Sequence, residues 1–99
     1  MEPHQRRILG RIADEMAGYR SGRQTLLMAL NNTWGLFTAA EIRDTSTVET
    51  FKRLYYDLSR EDDRQAWMPE GFVSEGRLDA AAEALEAWAT DVRESDAAE

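Results

Sequence analysis

The chain of 99 residues has no cysteine, a single histidine and a single lysine. Without cysteine it forms neither disulfide bonds nor thiolate metal sites, which is typical of a reducing compartment and predicts a cytoplasmic protein. His4 is the only imidazole, so one subunit offers no multi-histidine metal site, and a Ser-His-Asp triad would have to use this N-terminal residue. Lys52 leaves lysine-dependent covalent chemistry with one candidate, on the flank of a helix.

Glycine-rich phosphate loops are also missing. The glycines are isolated, and no G-x-x-x-x-G-K or G-x-G-x-x-G sequence occurs. The acidic cluster at residues 61–63 lacks the alternating ligands and central glycine of an EF-hand loop. We therefore expect no metal ion, no cofactor and no catalytic residue, and the sequence predicts a protein that is not an enzyme.

Long hydrophobic runs are scarce, and the nearest to one is an uncharged run of 17 residues, Gln24–Ala40, in a chain that is 31% charged. A membrane span needs about 20 predominantly apolar residues, and this run is shorter and contains Asn31 and Asn32. We expect no signal peptide either, because Gly10, Arg11 and Asp14 interrupt the residues after the N-terminal arginines. Because buried charge is costly, the run indicates where the core of the fold lies.

The net charge of −7 is unevenly distributed along the chain. Residues 1–30 carry five arginines and three acids, residues 31–60 carry four charges of each sign, and residues 61–99 carry three arginines and twelve acids. Such acidity disfavours nonspecific binding to DNA or anionic membranes and favours a basic partner. The arginine-rich, lysine-poor composition is typical of a bacterial coding sequence with high GC content.

Apolar residues in the N-terminal third recur at steps of three and four, which is typical of an amphipathic helix. They are Ile8, Leu9, Ile12, Met16, Tyr19, Leu26, Leu27 and Leu30. Ser21 and Gly22 interrupt the pattern, but the apolar phase continues across them, so the sequence favours one long helix over 4–31. The Asn31–Thr33 segment is expected to end it, since asparagine favours helix ends.

Three further helices follow in the prediction. A short helix is expected near 38–44, and a longer one over 47–60, where Ser46 and Glu49 have the spacing of a capping box. The last helix is expected over 75–93. The sequence therefore predicts an all-α, antiparallel bundle of three main helices plus a short one, forming a single domain over 1–99 with a frayed acidic tail at 94–99.

The long first helix would span about 40 Å, more than either of the other main helices. Part of its apolar stripe would then stay uncovered in a monomer, and a symmetric homodimer would cover it. The sequence leaves both the monomer and the homodimer open.

Four residues break the expected pattern and are candidates for contact with a partner. Arg23 would lie inside the apolar stripe of a continuous first helix, where it needs a carboxylate, an exit to solvent or a partner's anion. Trp34 and Trp67 lie outside the helical stripes, and Tyr56 is an aromatic residue on the polar face of its helix. Tryptophan, tyrosine and arginine are enriched in protein interfaces.

These observations predict a noncatalytic module that binds another protein, such as a small acidic bacterial regulator or an immunity or antitoxin protein with a basic partner. The alternative is a DNA- or RNA-associated regulator that uses the N-terminal arginines Arg6, Arg7 and Arg11, with Arg23 as a further candidate. The acidic outer face expected for the last helix argues against nucleic acid.

Overall fold

The computed structural model describes residues 2–67 and 75–97, and the side chains of residues 2–63 and 76–95. These residues form a compact all-α domain without strands, as the sequence predicts. The four helices are α1 (Pro3–Arg20), α2 (Leu26–Ala40), α3 (Thr45–Trp67) and α4 (Glu75–Ala97).

The predicted continuous helix over 4–31 is wrong, because the chain turns between α1 and α2. Gly22 has a φ of +80°, a left-handed backbone conformation that glycine adopts without strain. Its N–H donates to the carbonyl of Tyr19 at 3.0 Å and closes the C-terminus of α1. The Thr25 hydroxyl then accepts a hydrogen bond from the N–H of Met28 at 3.2 Å and caps the start of α2.

The predicted helix end at Asn31–Thr33 is also wrong, since these residues lie in the middle of α2. Thr33 is fully buried, while the two asparagines are exposed and tolerated on the outer side of the helix. The helix ends at Ala40, where Glu41 has a left-handed φ of 53°. The short helix predicted near 38–44 does not exist, because α2 occupies its first half and the rest is a connection.

Asp44, not Ser46, caps the N-terminus of α3. Its carboxylate accepts hydrogen bonds from the Thr47 hydroxyl at 2.7 Å and the Thr47 N–H at 2.9 Å, and these bonds lower the pKa of Asp44. Because the pKa of Asp44 is lower in the folded chain than in the unfolded chain, the charged cap stabilises the fold fully at a pH above the unfolded pKa. This stabilisation is lost as the pH falls through the folded pKa. The helix continues to Trp67, past the predicted end at residue 60.

The helices α1 and α2 form an antiparallel hairpin. The side-chain amide of Gln5, near the start of α1, donates to the carbonyl of Ala40 at 2.9 Å, at the end of α2. At the other end, Gln24 donates to the backbone carbonyl of Glu15 at 3.0 Å. The helix α4 packs against α1 and α3, and it runs to Ala97, past the predicted end at residue 93.

Two adjoining groups of side chains form the core. The larger group joins all four helices and consists of Met16, Leu26, Ala29, Leu30, Phe51, Leu58, Ala82 and Leu85. The smaller group lies between α1 and α4 and consists of Leu9, Ile12 and Ala89. Trp88 and Phe37 pack against both groups, so they connect them. Within the described residues, no helix is long and apolar enough to cross a membrane.

Candidate functional site

The outer face of α2 is uncharged along its whole length. The helix spans 15 residues without an acid or a base, although only one side of it is buried. We call the exposed side, together with Tyr56 of α3, the α2 surface. Its residues on α2 are Leu27, Met28, Asn31, Asn32, Trp34, Gly35, Thr38 and Ala39.

The large hydrophobic side chains that are exposed in the described part of the chain all lie on this surface. They are Leu27 at 65% exposure, Met28 at 54%, Tyr56 at 48% and Trp34 at 40%. Single exposed apolar residues are ordinary, but a contiguous apolar patch marks an interaction site. Three of them lie on the uncharged outer side of α2 and the fourth, Tyr56, lies next to Trp34, so the α2 surface is the candidate site.

An aromatic cluster attaches α3 to the edge of the α2 surface. The Trp34 ring lies 5.1 Å from the Tyr55 ring and 6.3 Å from the Tyr56 ring, measured between centroids. It also lies 6.2 Å from the buried ring of Phe51. Such tilted ring pairs stabilise by more than their buried area alone. The cluster therefore holds the exposed edge of Trp34 in a fixed position.

Tyr55 also connects α3 to α2 at the edge of the α2 surface, through a hydrogen bond. Its hydroxyl donates to the carbonyl of Leu30 at 3.3 Å, which joins α3 to α2. Burial, with a further contribution from Tyr56, raises the pKa of Tyr55. The phenol is therefore neutral at physiological pH and remains a hydrogen-bond donor.

Two of the four predicted contact residues come together on the α2 surface, and a third, Arg23, lies in the turn before α2. Trp34 and Tyr56, which are 22 positions apart in the sequence, meet at the edge of this surface. Trp67 is the last residue of α3, and its side chain lies outside the described residues. A role for any of these residues in partner binding remains a prediction.

Arg23 lies in the turn between α1 and α2, so the interpretation of an arginine inside an apolar stripe is wrong. It is exposed, and its Nε donates to the Ser21 hydroxyl at 3.0 Å. It lines a shallow pocket with Asp14, Gly18 and Gln24. A solvated arginine in this position needs no partner to compensate its charge.

Sequence reasoning missed Leu27, Met28 and Gly35 as site residues, because a continuous first helix places Leu27 in the core. One signal was available. The consecutive residues Leu26, Leu27 and Met28 point about 100° apart on a helix, so they do not all face one core. Gly35 is exposed in mid-helix, and a Cβ built on it meets nothing within 4 Å. Glycine there costs about 1 kcal/mol relative to alanine, and no packing contact with a described residue requires it.

The N-terminal arginines of the alternative function occupy the opposite end of the hairpin from the α1–α2 turn. Arg6 and Arg7 line a pocket of about 350 Å³ with Arg93, Pro3 and Glu94. Among the described residues, none of these three arginines forms an ion pair. Arg93 crosses the helix at Gly10, where a Cβ would come within 2.5 Å of its Nη1.

The acidic residues of α4 are partly neutralised by α1. Arg20 forms an ion pair with Glu86 at 2.7 Å and approaches Glu83 at 3.8 Å. The hydrogen bond to Glu86 is the main cause that raises the pKa of Arg20. Within residues 2–67 and 75–97, no group of three or more potential ligands is placed to hold a metal ion.

Comparison with known protein families, with curated protein sequences and with solved structures gives no significant match to this chain.

Proposed function

We propose that this protein is a noncatalytic interaction module that binds a protein partner through the α2 surface. The observation that supports the proposal is the placement of the exposed large hydrophobic side chains: three lie on the uncharged outer side of α2, and the fourth, Tyr56, lies next to Trp34. Apolar surface gains about 25 cal/mol for each Å² removed from water, so this face gains most from being covered. A regulator or immunity protein that acts by occupying its partner belongs to this functional class.

The chemistry of the surface favours contact residues of a particular kind. Trp34 and Tyr56 offer rigid rings with a polar edge, and Asn31 offers an amide that donates and accepts. The amide nitrogen of Asn32 donates to the Glu15 carboxylate at 3.3 Å, and its oxygen can accept. Aromatic anchors surrounded by uncharged polar groups are typical of the central part of protein interfaces. We therefore expect the partner to cover this face with apolar residues, and the acidic groups of α4 to lie outside the contact.

Leu27→Asp tests the proposal with little risk to the fold. Leu27 is 65% exposed and is the second residue of α2, where an acidic residue favours the helix dipole. The matched control is Gly76→Asp, the same added charge at the second residue of α4. Immobilised wild type, variant and control are used to capture proteins from the source cells, and circular dichroism checks folding.

We expect a protein retained by the wild type and by Gly76→Asp to be reduced about tenfold or more on Leu27→Asp, a loss of about 1.4 kcal/mol. Self-association counts as binding in this test. Equal retention of every bound protein by all three forms, with no change in self-association, would contradict the proposal.

A second candidate function, a nucleic-acid-associated regulator, has one supporting observation. Arg6, Arg7 and Arg93 converge on one pocket without forming an ion pair to a described residue. If they bind phosphates, the protein should be retained on duplex DNA at low salt, and about two to three counterions should be released per site. Absence of retention at low salt, or retention that the Arg6→Ala and Arg7→Ala changes do not weaken, would contradict it.

A further inference from the structure

The pocket at the N-terminal end of α1 gathers positive charge in an acidic protein. It is lined by Pro3, Arg6, Arg7, Arg93 and Glu94, and we call it the arginine pocket. In three other pockets among the described residues, arginines and acids are equal in number. Three arginines and one glutamate give the arginine pocket a net charge of +2, in a chain whose net charge is −7.

The three arginines of this pocket are not neutralised by the described part of the chain. None of them forms an ion pair with a described residue, and Glu94 does not approach any of them within ion-pair distance. Elsewhere, Arg20 forms an ion pair with Glu86. Like charges that are held together repel each other, and a bound anion would remove that repulsion.

Gly10 lets Arg93 lie directly against α1. A Cβ built on Gly10 would come within 2.5 Å of Nη1 of Arg93 and within 3.6 Å of its Cζ. Glycine in the interior of a helix is unfavourable relative to alanine, and the crossing Arg93 side chain is a packing reason for it. Arg6 precedes Gly10 by one helical turn, so the two residues share one side of α1. The crossing at Gly10 thus brings the guanidinium of α4 to the arginines of α1.

We propose that the arginine pocket binds the phosphate group of a small phosphate monoester. A phosphate monoester carries a charge of about −1.5 to −2 at neutral pH, which matches the net charge of +2 in the pocket. Each guanidinium can donate two parallel hydrogen bonds to phosphate oxygens, so three arginines offer donors to all of them. The volume of about 350 Å³ is within the range of small-molecule sites and leaves room for an organic group beside the phosphate.

The surroundings of the pocket favour a small ligand over the backbone of a nucleic acid. Pro3 and the aliphatic stems of the arginines offer apolar contact to the organic group of the ligand. A nucleic-acid backbone carries only one charge per phosphate and continues past the site. It would come close to carboxylates, because Glu94 lines the pocket and Glu2 directly precedes Pro3.

Titration with phenyl phosphate, followed by the amide signals in two-dimensional NMR spectra, tests the proposal. We expect saturable shifts at millimolar ligand concentration for residues of the N-terminal half of α1 and for the C-terminal part of α4. The methyl ester of phenyl phosphate has the same ring and one charge fewer, and it should bind about tenfold more weakly. Absence of saturable shifts with phenyl phosphate, or equal affinity for the two compounds, would overturn the proposal.

Arginine substitutions locate the bound phosphate. Arg7→Ala and Arg93→Ala should each weaken phenyl phosphate binding about tenfold, because each removes a charged donor. Arg11→Ala is the matched control, since Arg11 is an exposed arginine of α1 that does not line the pocket. Equal weakening by all three changes would show attraction to net charge alone and would contradict a site.

Gly10→Ala tests the position of Arg93 without removing a charge. The added Cβ must displace Nη1 of Arg93, which is the end of a flexible side chain, so the fold is retained. Alanine is the better helix former, so we expect thermal stability to be unchanged or higher while phenyl phosphate binding weakens at least threefold. Gly76→Ala, in an open position of α4, should leave the affinity unchanged. Unchanged affinity of Gly10→Ala would contradict the arrangement of Arg93 in the site.

Glu94→Gln should have the opposite effect from the arginine substitutions. Glu94 lines the pocket and competes with an anion for its arginines, so its neutralisation should strengthen phenyl phosphate binding about threefold. Glu83→Gln makes the same change on α4 outside the pocket and should have little effect. Equal strengthening by both changes would contradict a local role for Glu94.

The arginine pocket and the α2 surface are separate, so the two proposals fail separately. Leu27→Asp should leave phenyl phosphate binding unchanged, whatever it does to the capture of a protein. Duplex DNA, titrated under the same conditions, distinguishes the sources of phosphate. If DNA binds through Arg6 and Arg7 while phenyl phosphate does not bind, the monoester site is overturned and the nucleic-acid function stands. If neither binds, both are overturned.

Discussion

Phe51→Ala is expected to lower the free energy of unfolding by about 3 to 5 kcal/mol, the range for truncating a buried phenylalanine. The Phe51 ring is fully buried and stacks on Phe37 of α2 with a centroid distance of 3.8 Å. It also lies 5.8 Å from Trp88 of α4 and 5.7 Å from Tyr55. Its removal leaves a cavity at the junction of three helices, which these large rings cannot easily close.

Urea denaturation monitored by circular dichroism measures this loss, with Tyr56→Ala as the control. Tyr56 is an aromatic residue on the same helix but is 48% exposed, so its truncation should cost about 1 kcal/mol or less. Equal effects of the two substitutions would show that α3 does not place Phe51 in the core. If Phe51→Ala does not fold at all, the loss of unfolding free energy is larger than expected. The smaller substitution Phe51→Leu is then compared with Tyr56→Ala.

The helical class of the fold could be predicted from apolar periodicity, but the break between α1 and α2 could not. The residues from Ile8 to Leu30 keep one apolar phase across Gly22. In a helical hairpin both arms bury one face, so a preserved phase is compatible with a straight helix and with a turn. The left-handed φ of Gly22 and the Thr25 cap produce the turn instead of a straight helix. Both are local backbone features, and the spacing of apolar residues carries no information about them.

The start of α3 shows a similar limit. Ser46 and Glu49 have the spacing of a capping box, but Asp44 precedes them and accepts two hydrogen bonds from Thr47. Aspartate and serine are comparable N-caps, so the sequence offers two competing starts. The structure uses the earlier one, since Asp44 makes the capping bonds and α3 begins at Thr45.

The candidate site was predicted in part. Trp34 and Tyr56 were selected because they did not fit a buried stripe, and the structure brings their rings within 6.3 Å of each other. Leu27 and Met28 could not be separated from core residues while α1 and α2 were taken as one helix. The uncharged run Gln24–Ala40 predicts a buried segment, and this is correct for one side of α2. The other side of α2 is exposed and forms the α2 surface.

Trp88→Ala is expected to cost about 3 kcal/mol, near the lower end of the range for a core aromatic residue, because Trp88 is only partly buried. Its ring lies 5.8 Å from Phe51 in the larger core group and 6.4 Å from Phe37. The same side chain packs on the smaller group formed by Leu9, Ile12 and Ala89. The substitution therefore removes contacts that join α4 to α1 as well as to α3.

A double-mutant cycle with Phe51→Ala measures that connection. Because the two rings are in contact, the double variant should lose about 1 kcal/mol less than the two single losses added together. Asp91→Ala, an exposed position on the same helix, should change stability by about 0.5 kcal/mol or less. If the loss of unfolding free energy in the double variant equals the sum of the two single losses, the Trp88 and Phe51 rings do not stabilise each other. The helix α4 would then contact α1 and α3 through independent interactions.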